Sequence, residues 1–370
     1  MLKRASGFLV LTILFLAAGF SGPSKVPAPN IPFEPEKYIC YRASGPVQID
    51  GNIDEEVWSK APWSDNFADI EGSSKPKPRF RTMVKMLWDD DCFYIGAYLE
   101  EPNVWATLTK RDSIIYQDND FEVFIDPDGD THNYYELEMN ALNTVWDLFL
   151  IKPYRDGSPA NIHAWDIQGL KTGVKVNGTL NDPRDKDKGW FVEIAMPWEV
   201  LKEAAHPKSA PKPGDQWRMN FSRVEYRLSV ADGKYMKAAD PASGKPLAED
   251  NWVWTPTGLI NIHYPEMWGY VQFSGKIAGQ GRDSFQNKPE EKVKWALRKI
   301  YYAEWAWRAD KGGFTADGKA LALDDKDFKV KGYAFPPLIQ TTESLFEVVY
   351  KGASGDIWHI REDGRVWKDQ

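Results

Sequence analysis

The chain has 370 residues, of which 42% are hydrophobic and 27% charged, so it can bury a sizeable core and has room for two domains. Its formal net charge of −8 excludes the usual kind of nucleic-acid partner, which requires Lys and Arg clustered on one face. The same acidity excludes attachment to anionic lipid through basic residues.

The N-terminus has the features of an export signal. Lys3 and Arg4 form a positive region, and residues 8–20 are an unbroken apolar or small-residue run that is too short to span a bilayer comfortably. We therefore predict a signal peptide over residues 1–24 and an exported protein (periplasmic, cell-surface or secreted) with no stable membrane span after processing. Residues 25–37 are rich in Pro and are predicted to form an extended linker.

Residues 38–275 have the pattern of a mainly β domain. Runs of β-branched and aromatic residues alternate with Gly, Pro, Asn and Asp, and few helical stretches intervene, so the pattern favours an antiparallel β-sandwich over a parallel α/β sheet. Short helices are expected at Asp54–Lys60 and Trp198–Glu203. The predicted strands are Thr82–Trp88, Cys92–Glu100, Asp120–Ile125, Tyr134–Asn140, Trp146–Ile151, Gly173–Val176, Trp190–Met196, Gln216–Tyr226 and Trp268–Phe273.

Residues 287–370 are predicted to form a small α+β extension. Glu290–Arg308 has apolar residues at helical spacing, and the pair Gly312 and Gly313 ends this helix. The later apolar runs predict a small β-meander with strands at Phe346–Lys351, Asp356–Ile360 and Val366–Trp367.

Cys40 and Cys92 leave two alternatives open. An oxidising compartment permits a bridge between them, whereas two buried free thiols are equally consistent with the apolar segments around them.

Seven stretches of the sandwich region, in order, resemble the family 9 carbohydrate-binding modules. They are VQIDGNIDEEVWSKAP, VKMLWDDDCFYIGAYLEEP, DNDFEVFIDPDGD, YYELEMNALNTVWD, GWFVEIAMPWEVL, GDQWRMNFSRVEY and WTPTGLINIHYPEMWGYVQF. The resemblance covers roughly residues 40–275. It implies a two-sheet, jelly-roll-like sandwich in a secreted protein associated with polysaccharide breakdown. It also implies a sugar held between two tryptophans, with polar side chains on its hydroxyls and calcium supporting the loops.

The resemblance carries over only in part to the residues of this chain. The first family Trp lies six positions before the Glu of the acidic strand, which places Tyr116 there, before Glu122. The second lies three positions before a Pro, and this chain has Ile262 before Pro265. The resemblance therefore supports the fold and an aromatic platform at Tyr116, but it does not support the double-Trp clamp.

The polar positions also diverge. The family's hydroxyl-binding Arg falls near Glu138, whereas its later acidic residue falls near Glu225. For Glu122 the two alternatives are a hydroxyl acceptor and a salt bridge with Arg223 or another basic residue. Glu136 and Glu138 are rejected as a glycosidase pair, because carboxyls two apart on a strand project in parallel from one face.

Further aromatic and His candidates come from the residues themselves, since 14% of the chain is aromatic and flat rings fill cores or stack on sugars. Trp105 and Trp146 are candidate platforms. For Trp252 and Trp254, which face one side of a strand, core packing is better supported. His263 is a candidate ligand contact or a structural residue that fixes the turn after it.

Asp126, Asp128 and Asp130 occupy alternate positions of a turn between two strands. Their carboxylates could bind calcium, with Gly129 allowing a sharp turn, or they could be solvated turn residues. Calcium is the one cofactor that the sequence suggests.

We thus expect an exported carbohydrate-binding protein with an oligo- or polysaccharide partner, in support of polysaccharide catabolism. One alternative is a haem-binding electron carrier of the cellobiose-dehydrogenase cytochrome type. Its candidate axial ligands are Met139, Met196, Met219, Met236, Met267 and His263. The other is a hydrolase of O-glycosyl bonds, although the tail of the chain is too small for a glycosidase barrel.

Overall fold

The structure is a computed structural model that describes residues 26–156 and 160–369. The predicted signal peptide lies outside the described residues. The helices are α1 Glu56–Ser59, α2 Trp198–Leu201, α3 Glu291–Lys311 and α4 Asp325–Phe328. The strands of the sandwich region are β1 Lys37–Arg42, β2 Ala68–Asp69, β3 Thr82–Trp88, β4 Cys92–Leu99, β5 Asp120–Asp126, β6 Tyr134–Asn140, β7 Val145–Leu150, β8 Asn161–Ile162, β9 Lys171–Asn177, β10 Gly189–Pro197, β11 Gln216–Glu225, β12 Leu228–Ala231, β13 Lys234–Lys237, β14 Asp250–Val253 and β15 Gly269–Ile277. The extension adds β16 Leu338–Thr341, β17 Phe346–Lys351, β18 Ile357–Arg361 and β19 Val366–Lys368.

The sandwich consists of two antiparallel halves joined through β1. The first half runs from β8 to β15 in the order below, and the second half runs from β3 to β9. Hydrogen-bonded neighbours follow the order β8–β7–β6–β5–β11–β15–β1–β3–β4–β10–β9, with β14 beside β11 and β2 beside β14. Lys37–Cys40 and Arg42 pair in parallel with β15, and Tyr41 and Arg42 also pair in parallel with β3. A register shift between Cys40 and Arg42 lets this strand pass from one half to the other.

The two halves enclose one apolar core. Phe121, Val123 and Ile125 alternate along β5 and pack in the same cluster as Met86 of β3 and Ile95 of β4. This alternation turns the other face of β5 away from the core. The predicted mainly β sandwich is confirmed, and among the described strands β1 departs from antiparallel order by pairing in parallel.

Trp252 and Trp254 belong to this core, at 2% and 4% exposure. Both residues pack in the core, as their alternate positions on one strand predicted.

The opening run VQIDGNIDEEVWSKAP serves the fold. The carboxylate of Glu193, on β10, accepts hydrogen bonds from the N–H groups of Asp50 (2.9 Å) and Gly51 (3.1 Å) and from Trp58 Nε1 (2.8 Å). Gly51 has a φ of +87°, and a Cβ there would meet the backbone of Val174 at 2.5 Å. Only glycine fits this close approach.

The two cysteines are free thiols, so the alternative of a bridge is not realised. The reason is their orientation: Cys40 packs in the sandwich core, whereas Cys92 packs in a separate cluster around Trp58. Side chains in two different clusters cannot meet the short Cβ separation that a disulfide needs.

The extension is a second packed unit that contacts the sandwich. Its four strands pair in the order β16–β17–β18–β19, and α3 packs on β17 and β18 around Leu297, Ile300 and Val348. Gly312, with a φ of +86°, ends α3 in the left-handed region that glycine favours. The predicted helix and meander are both present, and β16 and α4 are additional elements.

A buried polar contact joins the extension to the sandwich. Arg155 and Tyr302 both hydrogen-bond the carboxylate of Glu266. Burial raises the pKa of this carboxyl, but the charges of Arg155 and Arg298 outweigh burial and lower the pKa to about 2. The Glu266 carboxylate is therefore ionised and paired in the folded state.

The segment before β1, where a Pro-rich linker was predicted, has no helix or strand from residue 26 to 36. Val26 is buried beside the extension, and Phe33 stacks on Trp295 with ring centroids 4.1 Å apart. No helix in the described part of the chain has the length and hydropathy needed to cross a membrane.

Candidate functional site

A pocket of about 400 Å³ lies on the outer face of the first half of the sandwich. Its floor comes from β5, β6, β7 and β11, where the residues that alternate with the core residues face outward. Its lining residues are Ile70, Tyr116, Glu122, Glu136, Glu138, Trp146, Leu148, Tyr154, Ser222, Val224, Glu249, Asn251, Ile260, Asn261, Ile262 and His263.

The strand register brings the acidic side chains of the floor together. Glu122 of β5 pairs with Glu138 of β6, which in turn pairs with Trp146 of β7. On its other side Glu122 pairs with Ser222 of β11. Glu136 lies two residues before Glu138 and so faces the same side.

Tyr116 lies at the rim of the pocket, on a 3-10 turn formed by Ile115–Gln117, and 43% of its surface is exposed. Its backbone N–H donates to the Glu138 carboxylate at 2.9 Å, and its carbonyl accepts from the Tyr226 hydroxyl at 3.1 Å. The preceding Ile115 is fully buried and anchors the turn. The ring of Tyr116 is thus held at the pocket by its backbone while its face stays accessible.

His263 closes another side of the pocket. Its Nδ1 is 2.8 Å from the Tyr134 hydroxyl, and its ring lies edge-on to Tyr154 at 4.7 Å between centroids. Enclosure among these rings lowers the pKa of His263 to about 3, so the imidazole is neutral at pH 7. The adjacent carbonyl of Ile262 accepts from Trp268 Nε1 at 2.7 Å, which fixes this loop.

The carboxyls of the pocket have strongly raised pKa values. Burial raises the pKa of Glu122 to about 7, against a hydrogen bond with Ser222 that lowers it. Burial and the charge of Glu122 raise the pKa of Glu136 to about 8. Burial, followed by Glu122, Glu136 and Asp120, raises the pKa of Glu138 well above its ordinary value. Acids crowded in one apolar cavity cannot all ionise together.

Comparison with known proteins assigns the family. A model of the family described as "Carbohydrate family 9 binding domain-like" matches residues 49–243, more than half of the chain. The chain belongs to this family.

Curated relatives match less than half of the chain. The chain is 25% identical over 157 residues to the exoglucanase XynX of Acetivibrio thermocellus, covering 42% of this chain and 12% of that protein. It is 28% identical over 163 residues to endo-1,4-beta-xylanase A of Thermotoga maritima, covering 43% of this chain and 13% of that protein. The chain thus spans about an eighth of the length of these relatives.

Two solved structures of a family 9 module from Caldicellulosiruptor kristjanssonii are similar over 68% of this chain and all of theirs. The complex with cellotriose has a TM-score of 0.42 and 16% identity, and the complex with glucose has a TM-score of 0.41 and 19% identity.

Five of the seven residues predicted for sugar binding line the pocket or its rim. They are Tyr116, Glu122, Glu138, Trp146 and His263. The salt-bridge alternative for Glu122 is not realised, because Ser222 is the register partner of Glu122 and Arg223 therefore points to the opposite face.

Trp105 and Glu225 lie elsewhere in the family 9 domain. Trp105 is 7% exposed and packs with Tyr226 and Tyr235. Glu225 is buried and forms an ion pair of 2.8 Å with Arg223. Trp105 therefore contributes to packing, and Glu225 contributes to a buried ion pair.

Several lining residues were not predicted. Glu136 was considered only as half of a catalytic pair, although its period-2 relation to Glu138 already placed it on the same face. Tyr154 lies on a 3-10 turn after β7, and Glu249 and Asn261 lie in loops distant in sequence from the acidic strands, so the folded chain brings them to the pocket. The methionines proposed as haem ligands do not line the described pocket with His263.

The predicted calcium loop lies away from this pocket. One oxygen each of Asp126, Asp128 and Asp130 lie within 4.8 Å of one another, an oxygen donor set of the kind that calcium prefers. Asp126 accepts from the N–H groups of Gly129 (3.0 Å) and Thr131 (2.9 Å), whereas Asp130 accepts from the Arg365 side chain (2.8 Å). Calcium binding by this loop stays a prediction.

Proposed function

We propose that this protein binds a saccharide in the pocket between Tyr116 and Glu122 and does so as an exported component of polysaccharide catabolism. The observation that carries the proposal is the placement of an accessible aromatic ring beside buried carboxyls in a family 9 domain. The apolar run after Lys3 and Arg4 supports export.

The pocket has the two kinds of group that a sugar requires. The ring of Tyr116 offers a flat apolar face at the rim, and Trp146 adds a second ring on the floor. Glu122, Glu138 and the amides of Asn251 and Asn261 offer hydrogen-bonding groups for hydroxyls. A cavity of about 400 Å³ accepts a ligand of one or two sugar rings.

The relatives named as a xylanase and an exoglucanase support a saccharide ligand in a general way. The chain matches only about an eighth of each, and the activities in their names belong to those proteins. The geometry of the pocket favours holding a ligand, since Glu136 and Glu138 project in parallel from one strand.

Isothermal titration of the purified protein against a panel of mono- and oligosaccharides tests the proposal. We expect heat with at least one sugar and loss of that heat in Tyr116→Ala. Trp63→Ala is the matched control, because Trp63 is a ring of similar exposure (38%) outside the pocket. Absence of heat with every sugar, for a folded protein, would refute the proposal.

A further inference from the structure

The pocket has an unusual charge for a site that holds a sugar. Four carboxyl side chains line it, those of Glu122, Glu136, Glu138 and Glu249, and among the described lining residues there is no Lys or Arg. His263 is neutral, since enclosure lowers its pKa to about 3. The site therefore offers hydrogen-bond acceptors and acidic groups, with no Lys or Arg in its described lining to pair with them.

One buried carboxylate oxygen of this pocket has no partner within the described chain. Glu136 is only 5% exposed, and its Oε2 accepts no hydrogen bond. On the neighbouring strand, Oδ2 of the fully buried Asp120 is also without a donor. Buried acceptors in native proteins are normally satisfied, so an open acceptor lining a cavity indicates a missing donor.

A neutral hydroxyl is a poor match for such a group. Each hydroxyl donates one hydrogen bond and carries no charge, whereas an ammonium group donates three and carries a positive charge. Hydrogen bonds between ionised partners are also shorter and about twice as strong as neutral ones. A ligand that combines a sugar ring with an ammonium group would satisfy the acceptors and the charge together.

Resting on the proposed function, we propose that the saccharide held here is a cationic amino sugar. Its class is a hexosamine with a free amine, alone or within an oligosaccharide. The amine lies against the carboxyls of Glu136, Glu138 and Glu122, while the ring contacts Tyr116 and Trp146. The raised pKa values of Glu122 and Glu136 agree with this arrangement. Crowding in the empty pocket disfavours the ionised carboxylates, and a neighbouring ammonium group would stabilise them.

A bare metal ion is the rival occupant. Asp120, Glu122 and Glu138 each place one oxygen within 4.8 Å of the others, which a cation could use. The aromatic and aliphatic part of the lining favours the amino sugar, because Tyr116, Trp146 and Ile260 give apolar contact that an ion does not use.

Calorimetry on the full chain at pH 7 with glucosamine, glucose and N-acetylglucosamine tests the inference. These sugars share a ring and differ at one substituent, and only the first is a cation. We expect glucosamine to bind about tenfold tighter than either neutral sugar, because its bonds are charge-assisted. Glu136→Gln keeps the shape of the side chain and should remove most of this preference.

Glu138→Gln provides the same readout if Glu136→Gln does not fold, which circular dichroism checks. Glu199→Gln, an exposed acid on α2, should leave the preference unchanged. Equal affinity for glucosamine and glucose overturns the inference but leaves the proposed function in place. Calcium binding that Glu138→Gln abolishes and Asp128→Asn leaves unchanged, without any preference for the amine, makes the pocket a metal site and also overturns the inference. No binding by any sugar overturns the proposed function itself.

Discussion

Glu122 on β5 and Glu138 on β6 are direct cross-strand partners, and both carboxyls enter the same pocket. Like charges opposite each other on a sheet are destabilising unless protons or a ligand relieve them. The raised pKa values of both carboxyls favour protons on the pair, which relieves this repulsion. The pair therefore links the stability of the sandwich to the state of its pocket.

The first prediction concerns the pH dependence of stability without ligand. The pKa values of Glu122 and Glu136 are raised to about 7 and about 8 in the folded state, so the folded protein binds more protons than the unfolded chain. Their contribution is full below about pH 4.5 and is lost as the pH rises towards 8. Urea unfolding should give a free energy of unfolding that falls between pH 5 and pH 8.

In the variant Glu122→Gln, the decrease in the free energy of unfolding between pH 5 and pH 8 should be smaller by roughly 3 kcal/mol, because one titrating group is removed. The other groups that face it are Asp120, Glu136, Glu138, Glu249, Tyr116, Tyr154 and His263. Glu199→Gln should keep the slope of the parent. If the pH dependence of the free energy of unfolding were unchanged in Glu122→Gln, the pKa of Glu122 would not be raised in the folded protein.

The second prediction concerns the missing platform. Ile262 lines the pocket at the position where the resemblance implies a Trp, and its backbone carbonyl is already fixed by Trp268. Ile262→Trp should strengthen binding of neutral sugars several-fold, since about 40 Å² of extra apolar contact is worth ~1 kcal/mol. Calorimetry measures this, with Ile151→Trp outside the pocket as the control. Weaker binding would mean that the larger ring blocks the site.

The third prediction concerns the junction of sandwich and extension. Glu266→Leu leaves the buried Arg155 guanidinium without its carboxylate and should lower the free energy of unfolding by about 3–5 kcal/mol. The double variant Arg155→Met, Glu266→Leu should cost less, because no unpaired charge remains. Denaturant unfolding measures both. Removal of the Arg184–Asp182 pair at the surface should leave the free energy of unfolding nearly unchanged. Equal losses in the single and double variants would contradict this account.

The fourth prediction concerns the thiols. Since Cys40 and Cys92 are free and lie in different clusters, thiol titration in denaturant should find two reactive groups without reductant. In the folded protein the half-buried Cys92 should react first, because Cys40 is fully buried. Detection of no thiol in denaturant would mean that a bridge forms after all.

The fifth prediction concerns calcium. Burial and the neighbouring Asp130 raise the pKa of Asp128 to about 7, and a bound cation would relieve this crowding. Millimolar calcium should therefore raise the Tm of the protein, and Asp128→Asn should lose most of that rise. Magnesium serves as the control ion, because it tolerates an irregular oxygen site poorly. A Tm that does not respond to calcium would remove the loop as a calcium site.

Much of the fold could be predicted from local patterns. The alternation of Phe121, Val123 and Ile125 with acidic and aromatic residues already defines an inward and an outward face of β5. The bounds of β3, β6 and β17 agree with the expected ones residue for residue, since each lies between clear turn signals. The position of β1 between the two halves could not be predicted, because its parallel pairing with both β15 and β3 depends on contacts distant in sequence.

The parts of the site that depend on the pairing register of neighbouring strands could be predicted from the sequence. Glu122 and Glu138 lie on neighbouring strands joined by a short connection, so their proximity follows from pairing. Glu225 could have been set aside, because period 2 places Arg223 on its own face as a ready partner. Glu249 and Tyr154 could not be found, because neither lies on a paired strand: Glu249 is in the loop before β14 and Tyr154 is on the 3-10 turn after β7.

A crystal structure of the protein soaked with the sugar that gives the largest calorimetric heat tests the central claim most directly. We predict one sugar ring against the face of Tyr116, with its polar groups within hydrogen-bonding distance of Glu122 and Glu138. A sugar bound elsewhere, for instance beside Trp358 and Trp367 of the extension, with the Tyr116 pocket empty, would contradict the account.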